Sequence, residues 1–191
     1  MKTRHHLLLV EDSENDVAIM KRALEHACIK TTLQVVQDGE TALAYLNGVG
    51  EFGDRQRHPL PGIVFLDLKL PRMSGDDVLA WIREREHLAF IMVVVLTSSE
   101  HPEDLRRAYR LGANSYLVKA SSAYQLAEQL VEMAEDLNLY WLGAVDPRIH
   151  EMTIKEGQQY SRSQQPAPAE RRSGEAEEHT RSYLWRGNAP K

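Results

Sequence analysis

Ile63-Val64-Phe65-Leu66-Asp67 is a run of four apolar side chains closed by an acid. Leu7-Leu8-Leu9-Val10, followed by Glu11-Asp12, and Ile91-Met92-Val93-Val94-Val95-Leu96, followed by Thr97, repeat the design. None of the three alternates apolar with polar residues. A solid apolar strand suits a sheet covered on both faces, which is the habit of parallel strands under helices. Two shorter segments, Thr32 to Val36 and Ser115 to Val118, supply two more strands.

The stretches between the strands carry helical periodicity. Ser13 is a suitable N-cap for a helix from Glu14 to Ala27, with Val17, Met20, Ala23, Leu24 and Ala27 on one face. Asp38-Gly39 forms a turn and Glu40 to Leu46 a second helix. Residues 47–62, with four Gly and two Pro, read as a long polar loop. Gly75 to Arg85 fits a third helix. Pro102 to Leu111 fits a fourth, with Pro102 in the first turn and Gly112 as its stop. A last helix runs from Ser122 to about Leu139. Five strand–helix units in sequence imply an α/β fold, a doubly wound five-stranded parallel sheet with helices on both faces.

Composition narrows the function. The chain has 191 residues, 23 basic and 28 acidic side chains, and a net charge of −5. That balance argues against nucleic acid as a partner. A single cysteine, Cys28, forbids an internal disulfide and a cysteine metal cage. It is expected as a small buried filler at the end of the first helix. No apolar run approaches a membrane span, so no membrane partner is expected. The N-terminal run is too short for a signal peptide, and the expected compartment is cytoplasmic. Charge shifts near residue 146. Residues 1–145 hold 15 basic and 21 acidic side chains, and residues 146–191 hold 8 and 7. The expected division is a domain at 5–145 and a polar, disordered tail at 146–191. The tail is too short and too polar for a DNA-binding output domain. Its cluster Tyr183-Leu184-Trp185 is either a stray apolar patch or a docking segment.

Ligands of an open parallel sheet bind outside the carboxyl ends of the strands. Four strands deliver Glu11 and Asp12, Asp67, Thr97 and Lys119 to that edge. Clustered carboxylates need a cation, and hard oxygen ligands without His or Cys select Mg²⁺ or Mn²⁺. Lys119 can pair with an anion on Asp67, and Thr97 can donate to an oxygen of the same anion. The set describes a carboxylate nucleophile that accepts a phosphoryl group. Glu11 and Asp12 alone would equally fit acids at a helix start.

The motifs Leu8-Leu9-Val10-Glu11-Asp12, Asp38-Gly39, Leu66 to Gly75, Leu96-Thr97-Ser98 and Tyr116-Leu117-Val118-Lys119 resemble the receiver domain of two-component response regulators. The resemblance covers residues 5–140 and implies a flavodoxin-like strand order 2-1-3-4-5. It implies Asp67 as phosphoacceptor, with Thr97 and Lys119 assisting. It implies metal ligands from Glu11, Asp12, Asp67 and the backbone carbonyl of Lys69. Thr97 and Tyr116 would be the switch pair, although Tyr116 also reads as a plain sheet-edge aromatic. Lys69 is either a solvated lysine or a stem that shields the phosphoryl group from water. The implied activity is signalling by phosphorylation-dependent contact, with slow autodephosphorylation, rather than enzymatic turnover.

The long loop, Lys69, Thr97-Ser98-Ser99 and Tyr140-Trp141-Leu142 are similar to single-domain receivers that sit beside phytochrome-type histidine kinases. That subgroup implies a sensor histidine kinase, a phytochrome, as partner and an unknown downstream protein. Ala120 stands where the family usually has Pro. The last helix carries a wide apolar stripe that includes Leu126, Leu130, Met133 and Leu137. The stripe fits deep burial within the domain, but the expectation is a second apolar edge for a homodimer, helped by Tyr140, Trp141 and Leu142. A dimeric adaptor indifferent to phosphorylation is the rival reading. A phosphatase lacks its second aspartate, because Lys69 stands there.

Overall fold

The computed structural model describes residues 6–99 and 101–136. Five strands, β1 (His6–Val10), β2 (Thr32–Val36), β3 (Ile63–Asp67), β4 (Met92–Thr97) and β5 (Ser115–Val118), form one sheet. Its order is β2-β1-β3-β4-β5, and every neighbouring pair is parallel. Helices α1 (Glu14–His26), α2 (Gly39–Asn47), α3 (Gly75–Arg83), α4 (Pro102–Arg110) and α5 (Ala123–Asp136) connect and cover it. The fold is the flavodoxin-like doubly wound sheet expected from the sequence.

The solid apolar runs are explained by two cores. Leu7, Leu9, Ile63, Phe65, Val94 and Leu96 pack under α1 and α5. Their alternates Leu8, Val10, Val64, Leu66, Val93 and Val95 pack under α2, α3 and α4. Successive side chains point to opposite faces, so a strand buried on both faces has no polar position to offer.

Side-chain oxygens start four of the helices, with Ser122 accepting from the Gln125 N–H at 3.3 Å at the head of α5. Ser13 accepts from the Asp16 N–H at 3.3 Å and Ser74 from the Asp77 N–H at 3.3 Å. Asp38 accepts from both the Thr41 N–H and the Thr41 hydroxyl, each at 2.8 Å. Asp38 also pairs with Arg72, whose φ of 66° lies in the left-handed region. Burial opposes ionisation of Asp38, but Thr41 and Arg72 outweigh it and hold the carboxyl below its ordinary range. Asp38→Ala is expected to cost about 1–2 kcal/mol in urea denaturation, the worth of an N-cap with an added ion pair.

Several sequence expectations need correction. Cys28 is exposed, not buried, and takes a left-handed conformation, φ 53°, just past the end of α1. It serves the turn that lets Ile29 N–H reach the Leu24 carbonyl, and Ile29 is buried instead. The 47–62 loop is not uniformly polar, because a short 3₁₀ turn at Gly50–Gly53 buries Phe52 against Tyr45 and His58. Arg55 secures that loop by donating to the carbonyls of Tyr45, Leu46 and His58. The third helix ends at Arg83, two residues early, and β4 begins at Met92, one residue into the Ile91–Leu96 run.

Arg83, the last residue of α3, reaches the edge of the sheet where β4 and β5 begin. It donates to the Gly112 carbonyl at 2.7 Å, the Ile91 carbonyl at 3.1 Å and Asn114 Oδ1 at 2.7 Å. Asn114 Oδ1 also accepts from the Val93 N–H at 2.8 Å. One guanidinium therefore joins α3, the start of β4 and the turn between α4 and β5.

The described part of the α5 stripe is buried within the domain. Leu126, Ala127, Leu130, Val131, Met133 and Ala134 are all buried in the α1–α5 core. This described part of the stripe faces the domain's own core, and the expected homodimer is not shown. Leu137, Tyr140, Trp141 and the whole 146–191 tail lie outside the described residues.

Candidate phosphoacceptor site

The carboxyl edge of the sheet gathers the candidate residues. Glu11 and Asp12 follow β1, Asp67 ends β3, Thr97 ends β4 and Lys119 follows β5. Register fixes their relative height: Asp67 pairs with Leu96, and Thr97 with Val118. The Lys119 N–H donates to the Thr97 carbonyl at 2.8 Å, which ties the ends of β4 and β5 together.

Glu11, Asp12 and Asp67 each place a carboxylate oxygen within 4.8 Å of the other two. Glu11 is 1% exposed and Asp67 5%. Asp12 is exposed, so one side of the cluster faces solvent. The Asp67 carboxylate accepts from the Lys69 N–H at 3.0 Å through Oδ1, which orients it. Its Oδ2 accepts from Lys119 Nζ at 2.8 Å. Lys119 Nζ also lies 2.8 Å from Glu11 Oε2 and 2.8 Å from Asp16 Oδ2.

The charges explain the proton affinities. Burial, helped by the nearby Asp67 charge, raises the Glu11 carboxyl above its ordinary value, against the pull of Lys119. Burial works to lower Lys119, but hydrogen bonds to Asp16, Asp67 and Glu11 outweigh it and raise the ammonium above its usual range. Buried like charges held together with one ammonium as counter-charge are a donor set of hard oxygens. Such a set fits a divalent metal ion.

Thr97 is buried, and its Oγ1 accepts from the Ser99 N–H at 3.0 Å. Ser99 Oγ in turn donates to Asp104 in the first turn of α4 at 2.6 Å. Tyr116 is half-buried and meets Tyr109 of α4 edge-on, ring centres 6.0 Å apart. Lys69 is exposed beside the site. The bond from Lys119 to Ala120 is trans, since the described residues contain no cis peptide. Lys119 reaches Asp67 without a proline behind it.

Sequence reasoning missed Asp16. Acids in the first turn of a helix are ordinary, because they suit the helix dipole. The usable signal was position: α1 begins at the same edge as the cluster, two residues after Asp12, and Asp16 lies in its first turn.

A family model of the response regulator receiver domain matches residues 7–131, and the chain belongs to that family. It is 42% identical over 137 residues to the probable methanogenesis regulatory protein FilR2 of Methanothrix harundinacea, covering 72% of this chain and 83% of FilR2. It is 35% identical over 139 residues to response regulator Rcp1 of Synechocystis, covering 73% and 90%. The Mn²⁺-bound crystal structure of Rcp1 matches at a TM-score of 0.61, covering 74% of this chain and 96% of that one. The bacteriophytochrome response regulator RtBRR matches at 0.65 and 35% identity, covering 84% and 93%. Among the described residues, no helix is long and apolar enough to cross a membrane.

Proposed function

We propose that this chain is a cytoplasmic response regulator that takes a phosphoryl group on Asp67 from a sensor histidine kinase. The observation that carries this reading is the Asp67 carboxylate held 2.8 Å from Lys119 and within 4.8 Å of Glu11 and Asp12. An Asp67 oxygen attacks the phosphorus of a phosphohistidine. The new O–P bond forms as the P–N bond breaks, and the departing imidazole keeps the electron pair and takes a proton. Lys119 neutralises charge on the transferred oxygens, and the Thr97 hydroxyl donates to one of them. Glu11, Asp12, Asp67 and the Lys69 carbonyl are the ligands for Mg²⁺, with Mn²⁺ as a substitute. The ion supplies charge neutralisation for the incoming phosphoryl group. The Lys69 stem shields the product from water and slows its hydrolysis.

The product adds about −1.5 to −2 charges. When Thr97 turns toward it, the Ser99 N–H loses its acceptor. Tyr116 then moves into the space that Thr97 leaves. The surface of α4, β5 and α5 thereby shifts between two states, one of which binds a downstream protein. The likeness to Rcp1 and RtBRR supports a phytochrome as the cognate kinase. The receiver domain is assigned to residues 5–145, with 146–191 as a polar appendage.

Incubation with acetyl phosphate and Mg²⁺ is expected to add one phosphoryl group by intact mass, and none to Asp67→Asn. Uptake by the Asp67→Asn variant would show that another side chain is the acceptor. No uptake by either protein would favour the adaptor reading.

A further inference from the structure

Lys119 has one more carboxylate than the proposed reaction uses. Contacts to Asp67 and Glu11 belong to the acceptor site, but the third, also 2.8 Å, goes to Asp16 in the first turn of α1. Asp16 does not belong to the oxygen group that can hold a metal, which is Glu11, Asp12 and Asp67. It is also more open, at 32% side-chain exposure against 7% for Asp67 and 1% for Glu11.

The contact follows from the fold. Leu117 points into the α1–α5 core, and Lys119, two residues on, leaves the strand on the same side. Its stem therefore runs beneath α1. Ile19, Met20, Leu96, Ala120 and Leu126 line a cleft there with Glu11 and Asp16. Asp16 is fixed at the mouth of that cleft, because its N–H donates to the Ser13 cap of α1.

The ammonium sits on Glu11 Oε2 and Asp67 Oδ2, oxygens of two of the three carboxylates that can hold a metal. Two cations on one pair of buried oxygens repel each other. The ammonium must move aside without leaving the site, since it is needed again when the phosphoryl group arrives. We infer that Asp16 is a positioning residue for Lys119, a second seat that receives the ammonium when a divalent ion enters and keeps it within reach of Asp67. This inference rests on the metal-assisted reading above.

A double-mutant cycle on Mg²⁺ affinity, read by titration calorimetry on the full chain, tests it. The four proteins are the wild type, Asp16→Asn, Lys119→Met and the double variant, each checked for an unchanged circular dichroism spectrum. Asp16→Asn is expected to weaken Mg²⁺ binding about fivefold, the worth of one half-exposed ion pair. In the Lys119→Met background the same substitution should cost less than about twofold, within ordinary additivity. Equal losses in both backgrounds would overturn the inference, because Asp16 would then act only as a distant charge. A larger loss without Lys119 would also overturn it and make Asp16 a ligand. No loss in either background would remove Asp16 from the site altogether. A wild type that binds no Mg²⁺ would sink the metal reading and this inference with it, whereas the other outcomes touch Asp16 alone.

Discussion

Lys119→Met is expected to slow phosphoryl uptake from acetyl phosphate by on the order of 10²-fold, the loss typical of removing one preorganised charge-stabilising donor. The same variant carries a stability signature that separates this loss from misfolding. Without the ammonium, Glu11, Asp16 and Asp67 keep their mutual repulsion and lose their shared counter-charge. Breaking such a partly buried network should cost about 2–4 kcal/mol at neutral pH. The deficit depends on pH in a fixed direction. Burial already raises the Glu11 carboxyl above its ordinary 4.5, and Lys119 is the main influence pulling it down. Removing Lys119 raises it further. A carboxyl raised in the native state contributes stability that is fully present below the unfolded value and lost as pH rises through the folded one. The deficit should therefore be largest near pH 8 and shrink toward pH 5. In the wild type the raised Lys119 keeps its contribution across that interval and loses it only in strong alkali. Urea denaturation at pH 5 and pH 8 measures both arms, and a deficit that stays constant with pH would contradict the network.

Gly75→Ala is expected to destabilise the protein by about 3 kcal/mol, the upper range for forcing an extra carbon into a packed site. A Cβ at residue 75 would stand 2.2 Å from the Asp67 carbonyl oxygen and 2.7 Å from Leu68 Cα. Both are backbone atoms and cannot rotate away. The Gly75 N–H also donates to the Leu68 carbonyl at 3.1 Å. Relief therefore requires α3 to lift or the end of β3 to bend, and either movement displaces Asp67. The urea midpoint should fall, and phosphoryl uptake should fall even below the temperature at which the variant melts. An alanine variant with normal uptake would mean that the loop between β3 and α3 does not position the acceptor.

The strands and the site were readable from sequence for the same reason. A strand buried on two faces must be solidly apolar, so its first polar residue marks where it leaves the core, as at Glu11, Asp67 and Thr97. The irregular parts left no such trace. Arg55 and Arg83 looked like ordinary charged residues, yet each satisfies backbone carbonyls distant in sequence. Position 28 read as a buried filler because cysteine is apolar, and the turn after α1 instead places it outside. Helix α3 stops early because its last turn tightens, with the Arg85 N–H reaching back only to Ile82. The breadth of the α5 stripe was ambiguous, because a helix wedged between α1 and the sheet looks like one awaiting a second copy.

The guanidinium of Arg83 gives the molecule a fixed pole. Its three hydrogen bonds hold the trailing end of α4 through Gly112 and Asn114, at the edge of the sheet remote from Asp67. At the leading end of that helix Ser99 links Thr97 to Asp104 and accepts from the His101 N–H, and farther along Arg107 pairs with Asp76 at the start of α3. Under the proposed phosphorylation, a pull on the Thr97 hydroxyl would reach the head of α4 through Ser99, while the Arg83 contacts would hold its tail.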